Sequence, residues 1–442
     1  MKNVLRCTLV LALALLMSAT VSAQVHYVGG DLSLLTKYEQ QGAQYKDLNG
    51  KAIGDLLTYV KEQGWNTIRV RLMVDPSRVN DTQTGHNRLV VQDLDYVKAL
   101  GARIKAAGLR FLLDFHYSDT WADPGAQWTP DAWKSLDDEQ LQERVYEYTR
   151  DCLTQLKEAG ATPDFIQTGN EISYGMLWGT KGTSANRCYT NSDQKNWNRF
   201  FALLRKAGQA CREVCPRAKI ILHSERAPKP SVLTDYFDRM KAAGIDYDII
   251  GLSFYPYHHG NLNVLETAIK LIENRNYGKD VQVVEMGYYH KWQPSDVSFD
   301  YSATYPISHE GQRKYTADLI AMLLNHPTVN GISWWYAEAN AKGCNGDLNS
   351  GWYNAGLFDN ETGRALPALY ELRSFNPNPD LKGDVNGDGA VDVADISAII
   401  SVMAGTAPTN LPADGEAMRA DVNGDGAVDV ADISAVITIM AT

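Results

Sequence analysis

Cysteine is scarce in this chain, with 6 among 442 residues, and none stands at the spacing of a metal site. Cys7 lies in the leading segment. Cys211 and Cys215 are four residues apart, awkward for a bridge on a helix; with Cys152, Cys188 and Cys344 the remaining number is odd. No disulfide framework is expected, and at most one bridge, for which Cys188 with Cys344 is conceivable. Positive charge is also short: 42 Lys and Arg against 53 Asp and Glu leave a net −11, which argues against non-specific nucleic-acid binding. No Gly-rich phosphate loop follows any apolar run, which disfavours a doubly wound nucleotide-binding sheet. Aromatics, by contrast, are plentiful, with 10 Trp and 23 Tyr, a supply that suits flat ligands as well as a large core.

Lys2 and Arg6 precede an apolar run at 9–17, and Val21-Ser22-Ala23 is a small-residue cleavage site. Residues 1–23 therefore read as an export signal, which implies a secreted, periplasmic or cell-surface protein; a retained anchor is the alternative. From 24 to 375, short apolar runs alternate with amphipathic stretches. Strands are expected at 26–33, 67–74, 110–117, 165–172, 219–225, 249–256, 281–288 and 331–338. Helices are expected at 52–63, 94–107, 138–159, 197–214, 233–243, 265–274 and 310–325, several ending in a Gly such as Gly64, Gly108, Gly160 or Gly244. Eight strands, each leading into a helix, predict an α/β fold, a parallel (β/α)8 barrel.

A Pro/Asn linker at 376–382 separates this domain from a tail at 383–442. Residues 381–442 hold ten Asp and Glu against Lys382 and Arg419, so this end carries most of the negative charge. It repeats itself: Asp384-Val-Asn-Gly-Asp-Gly-Ala-Val-Asp-Val-Ala-Asp395 returns as 421–432. Oxygen side chains at loop positions 1, 3, 5, 9 and 12, with Gly at 6, form a calcium-loop pattern in which Asp replaces the usual bidentate Glu. The first loop offers Asp384, Asn386, Asp388, the Ala390 carbonyl, Asp392 and Asp395. The second offers Asp421, Asn423, Asp425, the Ala427 carbonyl, Asp429 and Asp432, so two calcium ions are expected. One helix follows each loop, at 396–403 and 433–440, and none precedes it. This resembles a type I dockerin, and the resemblance implies a cohesin-bearing scaffold as partner. Where such modules place Ser or Thr at loop positions 10 and 11, this chain has Val393-Ala394 and Val430-Ala431.

The expected strands begin apolar and end polar: Arg71, Asp114 to Tyr117, Gly169-Asn170-Glu171, His223-Ser224-Glu225, Ser253-Phe254-Tyr255, Glu285 and Trp334-Trp335-Tyr336. In a barrel these ends share one face, where catalytic groups sit. Barrel, export and aromatics together suggest a glycosidase, whose reaction needs two carboxyl groups flanking the scissile bond. The candidates are Asp114, Asp119, Glu171, Glu225, Glu285 and Glu338, and Glu171 with Glu285 is favoured because their strands, fourth and seventh, face each other across the barrel. Neither requires a cofactor.

The segments Asp114-Phe-His-Tyr-Ser-Asp-Thr-Trp-Ala-Asp-Pro-Gly125, Gly169-Asn-Glu-Ile172, Asp248 to Pro256 and Val284-Glu285 resemble glycoside hydrolase family 53, the endo-β-1,4-galactanases, over nearly all of 26–370. The resemblance implies a retaining enzyme acting on the galactan side chains of pectin, with Glu171 as proton donor and Glu285 as nucleophile. Arg71 and Tyr255 match positions that hold the nucleophile ionised, while His116, Asn170 and Trp335 would line the nearest sugar subsite. Alternatives remain: His116 and Trp335 could be core residues, and Arg69 shares a strand face with Arg71. Trp121 and Trp128 could stack on distant sugars or pin their loop. Departures at Ser173 to Gly179, Met73 to Pro76 and Met286 to Tyr288 leave fine specificity open. A same-clan mannanase or glucanase, and a non-catalytic carbohydrate-binding barrel, are the rival readings.

Overall fold

A computed structural model describes residues 25–78, 89–295, 297–346, 348, 350–376, 383–386, 391–405, 420–423, 425 and 427–440. The expected export signal and most of the linker lie outside these residues. Eight parallel strands close into a barrel in chain order: β1 (Tyr27–Asp31), β2 (Thr67–Leu72), β3 (Arg110–Phe115), β4 (Phe165–Thr168), β5 (Lys219–Ser224), β6 (Ile249–Phe254), β7 (Asp280–Met286) and β8 (Val329–Trp334). β1 runs so close to β2 that a Cβ on Gly29 would stand 1.6 Å from the Thr67 carbonyl oxygen, so only glycine fits.

The long helices start where short polar side chains cap them. Asp93 accepts from the Tyr96 N–H, and Asp137 with Gln140 forms a reciprocal capping box. Ser308 caps His309–Leu323 through the Gly311 N–H. Such a cap contributes about 1 kcal/mol.

Side chains alternate between the two faces of each strand. On β2, Ile68, Val70 and Leu72 join the core under the helices, as Phe111, Leu113 and Phe115 do on β3. The inward residues divide by height. Leu112, Phe165, Ile221, Ile249 and Val284 make a separate apolar plug in the lower barrel. Above it, two residues further along their strands, stand Asp114, Gln167 and His223, all fully buried. Polar residues at that level need partners for every charge, and they find one another.

β7 breaks the alternation. Leu252 pairs with Val283, but the next residue of β6, Ser253, pairs with Glu285. The skipped residue, Val284, belongs to the inner plug, and the irregularity allows Glu285 to face inward as well. All eight expected strands are present, and each ends one to four residues early. Tyr117, Glu171 and Tyr336, just beyond β3, β4 and β8, have left-handed φ of 49°, 48° and 50°, which ends the extended run.

In the tail, helices Val393–Met403 and Val430–Met440 pack through Ala398, Ile399 and Val436, with Val385 and Val422 from the loops. Both helices begin three residues before the expected positions. The cysteines at 152, 188, 211, 215 and 344 are all free, so the conceivable Cys188–Cys344 bridge is absent. The Cys344 thiol instead lies 3.2 Å from the Asn340 carbonyl oxygen.

Candidate active site

Arg69 is the hub of the barrel mouth. Its Nη1 meets Asp31 at 3.0 Å, and its Nη2 meets Asp114 at 2.7 Å and Glu285 at 2.9 Å. The same Nη2 donates to Asn170 Oδ1 at 3.0 Å. Arg69 is fully enclosed, and a buried guanidinium is tolerable only when carboxylates pair its charge, as three do here through Nη1 and Nη2. The Tyr255 hydroxyl donates to the other oxygen of Glu285 at 3.0 Å. Of the two residues expected beside Glu285, Tyr255 touches it, while the arginine in contact is Arg69 rather than Arg71. Arg71 turns instead to Asp31 at 3.1 Å, to Ser33 and to the Tyr336 hydroxyl. Both arginines point inward from β2, and the one nearer the plug reaches Glu285. Arg71 is clasped by rings, its guanidinium carbon 4.7 Å from the centres of Trp121 and Trp335 and 4.6 Å from that of Tyr336.

Glu171 has a different setting. Its Oε1 accepts from the Ser253 hydroxyl at 2.7 Å, and its backbone N–H donates to His223 Nδ1 at 3.2 Å. Burial first, then the charges of Glu285 and Glu225, push the Glu171 carboxyl well above the ordinary carboxylate range, opposed by the Ser253 bond. Burial also pushes Glu285 up, to about 7. There the Arg69 guanidinium works against the burial, Asp114 and Asp31 add to it, and the Tyr255 bond lowers it. Both carboxyls have carboxylate neighbours, but Glu285 also has the Arg69 cation in contact, an asymmetry that could separate an acid from a nucleophile.

The other four carboxyl candidates are engaged elsewhere. Asp114 belongs to the Arg69 cluster, and Arg69 and His116 outweigh burial to hold its carboxyl below the usual range. Asp119 accepts from the Asp131 N–H and braces its loop. Glu225 accepts from Ser173 at 2.6 Å and pairs with Arg226 at 2.7 Å. Glu338 accepts from the Leu34 N–H at 2.7 Å, and burial and then Asp31 push it up to about 8.

His116 is enclosed, its Nδ1 accepting from the Ala122 N–H at 2.9 Å and its Nε2 standing 3.2 Å from Asp114. Only Nδ1 is hydrogen-bonded to the protein; Nε2 lies near Asp114 with no hydrogen-bond partner among the described residues. Asn170 donates to the Ala122 carbonyl at 2.7 Å, leaving one amide hydrogen for a guest. Trp335 lies beside Trp121 and Trp352 at ring separations of 6.1 and 6.3 Å, a continuous aromatic wall. Trp334 faces away and donates to the Ala355 carbonyl. Trp128 packs edge-on against Trp178. Residues not singled out from sequence are Asp31, which holds both arginines, and Gln167.

In the tail, Asp388 and Ala390 lie outside the described residues. In the second loop Asp432 is buried and accepts from the N–H groups of Asn423 and Asp429, so position 12 closes the loop. Asp395 does the same in the first loop with Asn386 and Asp392. The donors are all oxygens, as calcium prefers. Among the described residues no three acidic, His or Cys side chains are drawn into a metal cluster. Val393, Ile400 and Met403 of one helix, and Val430, Ile437 and Met440 of the other, are exposed at equivalent positions. Among the described residues no helix is long and apolar enough to cross a membrane.

Comparison with known proteins accords with this geometry. A protein of Niallia circulans, itself described as uncharacterized, is 38% identical over 70% of this chain and 82% of its own length. An arabinogalactan endo-β-1,4-galactanase from Aspergillus niger is 31% identical over 71% of this chain and 85% of its own length. The solved family 53 catalytic domain from Ignisphaera aggregans superposes with a TM-score of 0.67 at 32% identity, covering 80% of this chain and 97% of that one. Residues 382–440 match the dockerin type I domain. Residues 27–372 match the model of glycosyl hydrolase family 53, and the chain belongs to that family.

Proposed function

We propose that this protein is a secreted, retaining endo-β-1,4-galactanase acting on galactan side chains of pectin. The activity is that named for the Aspergillus niger relative. The observation that carries the mechanism is the unlike surroundings of two neighbouring carboxyl groups at the barrel mouth: Glu285 against Arg69 and Tyr255, Glu171 against Ser253 and beside other carboxyls.

In this reading Glu285 attacks the anomeric carbon as Glu171 passes its proton to the departing glycosidic oxygen. Glu171, now a carboxylate, then takes a proton from the water that hydrolyses the glycosyl ester. Direct displacement of this kind needs the carboxyls about 5–5.5 Å apart. Arg69 and Tyr255 favour the ionised form of Glu285 against its burial and aim it, and both release it partly as its charge is spent on the new bond. Trp335 and Trp121 offer faces for a sugar ring.

The tail is read as a dockerin that folds around two calcium ions, held by Asp384, Asn386, Asp388, the Ala390 carbonyl, Asp392 and Asp395, and by their counterparts at 421–432. Calcium there organises the loops and takes no part in hydrolysis. The partner in this reading is a cohesin whose surface accepts the apolar side chains at 393, 400 and 403 or at 430, 437 and 440.

The test is hydrolysis of linear β-1,4-galactan, with the first-formed anomer followed by NMR. A β-configured first product and loss of activity in Glu285→Ala support the reading. Preference for mannan or glucan over galactan, or an α first product, overturns it.

A further inference from the structure

Ser253 and His223 form a closed hydrogen-bonded ring with the residue read above as the proton donor. Ser253 Oγ lies 2.7 Å from Glu171 Oε1 and 2.7 Å from His223 Nε2, and the Glu171 backbone N–H points at His223 Nδ1, 3.2 Å away. The direction of each bond follows from its neighbours. The Gln167 amide nitrogen lies 2.6 Å from the Asp114 carboxylate, which fixes the amide orientation, since an oxygen there would face an anion. That same nitrogen is 3.0 Å from His223 Nδ1. Two N–H groups, from Gln167 and Glu171, thus converge on Nδ1 and leave it no room for a proton of its own. Asn170 Oδ1 also lies 3.1 Å from Nδ1 and accepts from Arg69, but the Glu171 backbone N–H can only donate, which makes Nδ1 the acceptor. The imidazole is buried beside Arg69, and both burial and that charge keep it neutral. It therefore carries its hydrogen on Nε2 and donates it to Ser253 Oγ.

Ser253 then has one hydrogen left, and it can point only at Glu171 Oε1. We propose that His223 and Ser253 are positioning residues that keep Oε1 of Glu171 a permanent acceptor, so that the acid proton resides on Oε2, the oxygen facing the glycosidic bond. No described protein group bonds Oε2. The inference rests on the reading of Glu171 as proton donor. Its consequence for the reaction is economy of motion: the proton is already on the correct oxygen when the bond breaks. The same hydroxyl then solvates the carboxylate left behind. No rearrangement of the ring of bonds accompanies either half of the reaction.

Ser253→Ala is the direct perturbation, and Ser253→Thr is the variant that keeps the hydroxyl. Charged and titratable groups around the ring are Glu285, Glu225 and Asp123 toward Glu171, and Arg69, Asp114 and His116 toward His223. All remain in both variants. Losing a bond that favours the carboxylate raises the pH at which Glu171 gives up its proton. The alkaline limb of kcat/KM on galactan should therefore move upward by about one pH unit while the optimum rate falls about tenfold, as expected for a hydrogen bond to a charged group. Ser253→Thr should restore both. Nitrogen-15 spectra should show the His223 resonances, identified by their loss in His223→Gln, with Nδ1 bare and Nε2 protonated. A proton on Nδ1, or an alkaline limb in Ser253→Ala that coincides with that of the parent, overturns the inference. Galactan hydrolysis surviving in Glu171→Ala would instead overturn the underlying assignment of the acid, so the two failures are distinguishable.

Discussion

Replacing Arg69 by Lys separates charge from geometry at the nucleophile. Arg69 spans Asp31 with one nitrogen and Asp114, Asn170 and Glu285 with the other, at 2.7 to 3.0 Å. An ammonium keeps the charge but is a single point with three hydrogens, and it cannot occupy both ends of that fork. Losing two charge-assisted contacts at about 1.5 kcal/mol each weakens the hold by about 3 kcal/mol, roughly a hundredfold in rate if it is felt in the transition state. The sign of the pH effect follows from the same contacts. Arg69 lowers the Glu285 carboxyl against its burial, so a looser cation lets it rise. If Glu285 is the nucleophile proposed above it must be ionised to react, so the acidic limb of kcat/KM should move to higher pH. Arg71→Lys is the control, because Arg71 holds Asp31, Ser33 and Tyr336 and packs on Trp121 and Trp335. It should raise KM and leave the acidic limb in place. The assay is the pH dependence of galactan hydrolysis by both variants, with melting curves to confirm folding. An acidic limb displaced by Arg71→Lys and untouched by Arg69→Lys would refute the reasoning.

Three further outcomes are expected. Glu338 holds its proton in the folded protein up to about pH 8, whereas the unfolded chain loses it near 4.5, so its contribution to stability declines as pH rises through that window. Glu338→Gln should melt higher than the parent at pH 9, by about 2 °C or more, with the advantage fading at pH 5; calorimetry at the two values checks this. Chelating calcium in the full chain should open 383–440 to proteolysis within minutes and leave galactan hydrolysis unchanged, because only a small core, built around Val385, Ile399, Val422 and Val436, is left to oppose the acidic repulsion. Trp335→Ala should raise KM for galactan several-fold, since its face closes the aromatic wall; an unchanged KM in initial-rate measurements counts against a sugar site there.

The barrel was legible because inward and outward residues alternate so regularly on β2 and β3, and because each strand ends in a change from aliphatic to polar side chains. Strand ends were less legible. Tyr117, Glu171 and Tyr336 adopt left-handed conformations that their residue types do not advertise. Arg69 and Arg71 could not be separated by sequence, since period two assigns them the same face; only the barrel's stagger decides which one meets a residue on β7. The inward turn of Glu285 depends on the skipped pairing at Val284, an irregularity with no signature in the local residues. Ser253 and His223 were both visible as polar strand ends. Their contact was not, because it joins neighbouring strands at a height that only the closed sheet defines.

The left-handed backbone at Glu171 sets durability against turnover. A non-glycine residue there is strained by about 1–2 kcal/mol, and this one also carries a carboxyl that its surroundings resist ionising. Exchange for Asn, which tolerates the conformation and titrates nothing, should give a catalytically dead protein that outlasts the working one on heating. A screen for thermal endurance with no activity gate would drift toward such sequences, and family members carrying Asn or Gly there would be expected to have kept the barrel and abandoned the chemistry.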